Sequence, residues 1–209
     1  MTLFTMRLPI ALIIAGTILC ACSTAPQPAK PASAQTDPTA AKSTTPIAAP
    51  VTTMTISSPA FQDGDRIPVK YSCKGLNISP PLQWANAPQD TKSYVVILED
   101  PDTSRGTLTH WIIFNISPDS NNLPEGVPTL TGNQTTFSQG NNSFGKTGYD
   151  GPCPPSGQSH RYIFSLYALD TVLSHLKEGA SKSDVLEARQ SHILASGRLT
   201  GIFGQLPEY

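Results

Sequence analysis

From Met54 onward, apolar residues come in short runs broken by Pro, Gly and Asn, the rhythm of a mainly β domain with long loops. The runs predict strands over Ile67–Ser72, Ser93–Leu98, Trp111–Ile116, Arg161–Leu169 and Leu199–Phe203. The first lies between two turn-forming segments, Asp63-Gly64-Asp65 and Cys73-Lys74-Gly75. One helix is predicted. It starts at Ser181, whose hydroxyl caps free amides with Asp184 at the third helical position, and runs through Val185, Leu186, Ala188, Ile193 and Leu194 to stop at Gly197.

The period of two in a strand sorts the polar residues at the ends of these runs. His160 and Tyr162 share a face with Phe164, and Arg161 points the other way. By the same alternation His110 stands with Ile112 and Phe114, at the end of an apolar row. Asp100 and Asp102 follow the buried run Val95-Val96-Ile97-Leu98, so three strand ends carrying acids, histidines and a tyrosine are expected to converge at one rim of a sheet.

The N-terminal pattern is different. Arg7 and the amino terminus precede an apolar run from Leu8 to Leu19, interrupted by Pro9 and followed by Ser23-Thr24, which reads as a processing signal rather than a membrane span of roughly 20 apolar residues. The stretch Leu19-Cys20-Ala21-Cys22 resembles a bacterial lipoprotein signal, with a small residue before the cysteine that receives lipid. Residues 1–21 would then be removed and Cys22 lipidated; an ordinary secretory signal cut after Ala21 is the alternative. Ser23 after that cysteine implies, by the same resemblance, the outer membrane of a bacterial envelope with the domain facing the periplasm. Residues 22–53 are rich in Ala, Thr and Pro and lack aromatic residues, so they cannot build a core and read as a disordered tether. Such a leash spans about 30 Å as a flexible coil and roughly 100 Å in polyproline geometry. The folded domain is expected over 54–209.

Among 209 residues, 14 are basic and 15 acidic, so no broad field or basic patch points to a nucleic-acid partner. A hydrophobic share of 38% suffices for one core and excludes a multi-span membrane protein.

Several segments carry a resemblance: Asn77-Ile78-Ser79-Pro80-Pro81-Leu82-Gln83-Trp84, Asp100-Pro101-Asp102, His110-Trp111, Phe144-Gly145-Lys146-Thr147-Gly148-Tyr149, Gly151-Pro152-Cys153-Pro154-Pro155, His160-Arg161-Tyr162 and Tyr167-Ala168-Leu169-Asp170. In this order they resemble the phosphatidylethanolamine-binding protein family, specifically its bacterial Raf-kinase-inhibitor-like branch. The resemblance implies an antiparallel β-sandwich with one or two short peripheral helices and a small anion pocket at one end. Its ligand would be phosphate, phosphoethanolamine or a phospholipid head group, with no cofactor. Carried over position by position, the ligand-binding residues are Asp100, Asp102, His110, Gly151, Pro152, Pro154, Pro155, His160 and Tyr162. The chain departs from the family at Ser104, where a second proline is common, and it ends shortly after Gln205 without the C-terminal helix of eukaryotic members.

Phosphate needs donors, which His110, His160, the Tyr162 hydroxyl and amides of the glycine-containing turn can supply. The two acids are then expected to orient these donors and raise the histidine pKa values, or to receive an ammonium group. Two His and two Asp also suit Zn or Mn, but no metal-ligand spacing supports that reading. A lipid or phosphoester hydrolase using His110 as base and Asp100 as its orienter is a further alternative, although no nucleophile elbow is present. In an exported protein Cys73 and Cys153 are expected to pair as a disulfide; Cys153 as a nucleophile beside His160 is the competing assignment. Inhibition of a protease or a kinase-type partner is the remaining alternative, because relatives are described as such inhibitors.

Overall fold

A computed structural model describes residues 52–129 and 136–205. The signal, Cys22 and nearly all of the tether lie outside the described residues. Among those described, nine strands and one helix follow in order: β1 Thr52–Thr53, β2 Thr55–Ser57, β3 Leu82–Ala85, β4 Ser93–Asp100, β5 Leu108–Ile116, β6 Asn122–Leu123, β7 Ser138–Gln139, β8 Ser159–Leu169, α1 Lys182–Arg189 and β9 Ile193–Gly204. Six strands form one sheet in the order β1-β9-β8-β4-β5-β7, and β2-β3-β6 form a second. All pairings between these strands are antiparallel except that of β1 with β9.

The main core lies between the two sheets. Val96 and Leu98 of β4, Trp111 and Ile113 of β5, Tyr162, Phe164 and Leu166 of β8, and Leu199 and Phe203 of β9 meet Ile56, Leu82, Trp84 and Leu123 of the small sheet. The opposite face of the large sheet carries Val95, Ile97, Ile112 and Phe114, covered by Leu173 and by Val185 of α1. Both faces of β4 and β5 are therefore buried, which is why these strands read as continuous apolar runs.

Three sequence expectations are corrected. Ile67–Ser72 is not a strand. Only Arg66 makes an isolated bridge with Ile202, and beyond it Pro68, with no N–H to give a ladder, starts a 3-10 turn over Val69–Tyr71. Ile67 and Tyr71 are buried but Val69 is 59% exposed, so the alternation that suggested a strand does not describe a sheet face. The helix keeps the predicted capping box of Ser181 and Asp184 but ends at Arg189. Ile193 and Leu194 open β9, which pairs with β8 along nearly its whole length, and these ladder bonds outweigh a short run of helical spacing. Gly197, read as a helix stop, sits in β9 opposite Leu166, where a Cβ would stand 2.7 Å from the Met54 carbonyl oxygen. Thr52–Thr53, assigned to the tether, pair with Ala195 and Ser196 on that same stretch of β9.

Cys73 and Cys153 form a disulfide with their Cα atoms 5.5 Å apart, across a sequence separation of 80. It joins the loop after the 3-10 turn to the proline-rich turn before β8. Closing a loop of that length is worth about 4 kcal/mol by restriction of the unfolded chain. Replacing both cysteines with Ser is therefore expected to lower the unfolding free energy by about 2–4 kcal/mol, read as a lower urea midpoint that reductant no longer changes.

Candidate functional site

At one end of the large sheet, β4, β5 and β8 border a cavity of about 400 Å³. Asp100 at the end of β4, His110 near the start of β5 and His160 at the start of β8 form its floor and wall, with Pro155, Cys153 and Gln158 beside them.

A bulge in β5 aims His110. Leu98 pairs with Trp111 but the next residue, Glu99, pairs with Thr109, so His110 is an extra residue in β5. Simple alternation puts His110 with Ile112 and Phe114, on the face toward α1. Instead its ring meets Tyr162 edge-on at 5.3 Å and Phe144 at 5.1 Å, on the side of the main core and the cavity. Redirecting one side chain is what such a bulge does.

Asp100 uses both carboxylate oxygens. Oδ1 accepts the backbone N–H of Asp102 at 2.9 Å, closing the Asp-Pro-Asp turn, and Oδ2 accepts the Nδ1–H of His160 at 2.7 Å. The other nitrogen of His160 faces Gln158 Oε1 at 3.1 Å. Asp100 thus partners His160 and not His110, contrary to the dyad considered for hydrolysis. His110 is held differently. Its Nδ1–H donates to the Asp150 carbonyl oxygen at 2.8 Å, and its buried Nε2 has no hydrogen-bond partner among the described residues. Burial pushes the His110 pKa below the usual histidine value, against the smaller opposing pull of the Asp150 carbonyl and the Asp100 and Asp150 carboxylates. The expectation that nearby acids raise it fails, because desolvation of the imidazolium is the larger effect.

Asp102 does not line the cavity. It accepts the Arg161 backbone N–H at 2.8 Å, and its carboxylate meets the guanidinium with Nη2 to Oδ1 at 2.6 Å and Nε to Oδ2 at 3.0 Å. That fork holds the carboxyl at about 2, below the usual aspartate range, and pins the turn to β8. Tyr162 also stays out of the lining. It is fully buried behind His110, its hydroxyl makes no hydrogen bond of good geometry among the described residues, and burial together with the nearby Asp100 charge raises its pKa.

The proline-rich turn plays another part than expected. The Gly151 N–H donates to Asn77 Oδ1 at 2.7 Å, and Pro152, Pro154 and Pro155 have no N–H, so this turn does not present a row of amides to an anion. Gly151 is required for packing, since a Cβ there would stand 2.2 Å from the Tyr71 carbonyl oxygen. Asn77 also donates to Asp150 Oδ1 at 2.9 Å, and Lys146 meets Asp150 Oδ2 at 2.9 Å. Of the turn, Cys153 and Pro155 reach the cavity, while Gly151, Pro152 and Pro154 do not line it. Cys153 is bound in the disulfide and is not a free nucleophile. Among the described residues, no three His, Cys, Asp or Glu side chains group as metal ligands.

Thr103, Ser104, Arg105, Leu108 and Phe144 complete the wall, and sequence reasoning assigned none of them to the site. The signal for the first three was the departure at Ser104. Thr103 to Gly106 make a tight turn, with the Gly106 N–H on the Thr103 carbonyl at 3.2 Å and Gly106 at φ +92°. That turn brings the guanidinium-bearing Arg105 to the cavity.

A family model described as Phosphatidylethanolamine-binding protein matches residues 57–204. Over 150 residues the chain is 51% identical to a protein of Methanothermobacter thermautotrophicus named UPF0098 protein, covering 72% of this chain and 98% of that one. A crystal structure of a phosphatidylethanolamine-binding protein homologue from Chlamydia trachomatis superposes with a TM-score of 0.66 at 44% identity, covering 74% of this chain and 99% of that one. The E. coli protein YbcL, described as a new member of the mammalian PEBP family, superposes with a TM-score of 0.67 at 28% identity, covering 73% and 99%.

The Asp102 shift has a stability consequence. A carboxyl whose folded pKa is depressed stabilises the fold above its unfolded pKa near 4, and that contribution is lost as pH falls through about 2. Asp102→Asn is therefore expected to lower the urea midpoint at neutral pH, and its deficit relative to wild type should shrink toward zero between about pH 4 and pH 2.

Proposed function

Because the chain belongs to the phosphatidylethanolamine-binding protein family, we propose that the His110–His160 cavity binds a small phosphate-bearing ligand or a phospholipid head group and holds it without turnover. The observation that carries this reading is the unpartnered Nε2 of His110. A buried polar atom without a partner costs about 1–3 kcal/mol, and a cavity beside it is where a ligand restores the missing bond. Arg105 and the Ser104 hydroxyl add a cation and a donor on the same wall. The volume of about 400 Å³ falls within the range of about 300–1,000 Å³ found for small-molecule sites. The Asp100 carboxylate lines the same cavity as Arg105, so a zwitterion such as phosphoethanolamine fits the charge pattern.

Binding rather than catalysis is supported by the commitments of the groups. Cys153 is in the disulfide, the Nδ1 of His110 is held by a backbone carbonyl rather than by a carboxylate that would support a general base, and His160, which Asp100 does hold, has its other nitrogen at Gln158 Oε1. The domain works at a bacterial envelope, tethered through lipid on Cys22 by the proline-rich leash and facing the periplasm at the outer membrane.

Calorimetric titration of O-phosphoethanolamine and of inorganic phosphate tests the ligand. The wild type is expected to bind, and His110→Ala to lose at least about tenfold in affinity with its circular dichroism unchanged, in line with about 1.4 kcal/mol or more for a buried bond to a charged group. No binding by the wild type, or equal affinity in the variant, refutes the assignment. For the anchor, mass spectrometry of the mature protein is expected to find acylated Cys22 at the amino terminus; an unmodified Cys22 rules the anchor out.

A further inference from the structure

The Nδ1 of His110 faces a backbone carbonyl, which only accepts, so Nδ1 carries a proton. In the neutral ring Nε2 is then a bare lone pair, buried and without a partner among the described residues, on a side chain that lines the cavity. The oxygens of a phosphodiester, or of a fully ionised phosphomonoester, are acceptors as well. Two acceptors in contact repel, and a proton between them turns the contact into a charge-assisted hydrogen bond.

We propose that one proton is held between His110 Nε2 and a phosphate oxygen of the bound ligand, so that at alkaline pH each binding event takes up one proton from solvent. This rests on the phosphate-binding reading above and specifies how that site is regulated. The proton balance is simple: a neutral imidazole, a solvent proton and the anion become an imidazolium hydrogen-bonded to the anion, and no covalent bond changes.

The surroundings explain why the proton arrives with the ligand and not before it. Burial disfavours the imidazolium in the free protein. From β4 the Asp100 carboxylate favours the imidazolium, but its oxygens already serve His160 and the Asp102 amide. From the loop before β8 Asp150 also favours it, while its carboxylate is held by Asn77 and Lys146. On β8 the Tyr162 phenol stays un-ionised and its ring meets the imidazole edge-on, and His160 is bound to Asp100. Asp102 is paired with Arg161 on the outer side, and Arg105 is a positively charged residue of the cavity wall. An anion in the cavity supplies the close, uncommitted negative charge that these groups do not.

The test is titration of the full-length chain at about pH 8, where a phosphomonoester with its second pKa near 6 is fully ionised. One arm uses O-phosphoethanolamine, a free monoester, and the other glycerophosphoethanolamine, the diester of a lipid head group. Each is run in two buffers of different ionisation enthalpy. The heats are expected to differ by one buffer ionisation per ligand bound, with affinity falling about tenfold per pH unit above pH 8. The arm that binds more tightly identifies the source of the phosphate. His110→Gln is expected to bind more weakly with no proton uptake. The ¹⁵N resonance of wild-type His110 Nε2 is expected to move to its protonated position on ligand addition, which keeps the test independent of the variant's folding. Binding without proton uptake, uptake that persists in His110→Gln, or an unmoved resonance overturns this inference while leaving phosphate binding standing. Absence of binding in both arms overturns the phosphate reading itself.

Discussion

The extra residue that β5 carries opposite the step from Leu98 to Glu99 sets the geometry on which the site depends. Without it His110 would point with Ile112 and Phe114 into the layer beneath α1, where a polar ring would meet only apolar neighbours. With it the ring turns across the edge of the sheet to Tyr162, and Nδ1 comes within reach of the Asp150 carbonyl. The turn around Asp150 must then be held at a fixed height. Asn77 holds it through two hydrogen bonds, and the Cys73–Cys153 bond joins the same two loops covalently.

Most polar groups of the rim are committed to one another. Asp100 holds His160 and closes its own turn, Asp102 holds Arg161, and Asp150 holds Asn77 and Lys146. At its centre Asp100 and His160 are both buried, so moving either leaves a buried donor or acceptor unpaired, while Arg161 and Lys146 hold the rim from exposed positions. Against that background an uncommitted nitrogen in the wall is chemically conspicuous. Its residue lines the same cavity as the turn from Thr103 to Gly106, and that turn contributes the cation Arg105.

Much of the fold is legible in the order of residues alone. The long strands β4, β5 and β8 stand out as apolar runs, and the capping box at Ser181 marks the start of α1. Local pattern misleads where it competes with long-range pairing. Ile193 and Leu194 fit a helical spacing with Val185 and Leu186, but the ladder with β8 claims them. Ile67, Val69 and Tyr71 alternate like a strand, yet Pro68 bends the chain into a 3-10 turn. In the site, alternation correctly puts His160 and Tyr162 on one face and sends Arg161 to the other, because β8 is regular there. The same rule fails at His110, because a bulge is a property of a strand pair and leaves no mark on either strand alone.

The sequence by itself determined the class of fold, the family, and the short list of acids and histidines at the strand ends. These follow from local chemistry: spacing, turn residues and motif order. Only the tertiary structure decided which acid serves which histidine, that Asp102 and the glycine-proline turn brace the cavity rather than line it, and that Arg105 belongs to its wall. Pairings of that kind depend on register across β4, β5 and β8 and on loops far apart in sequence, where a shift of one residue exchanges one face for the other.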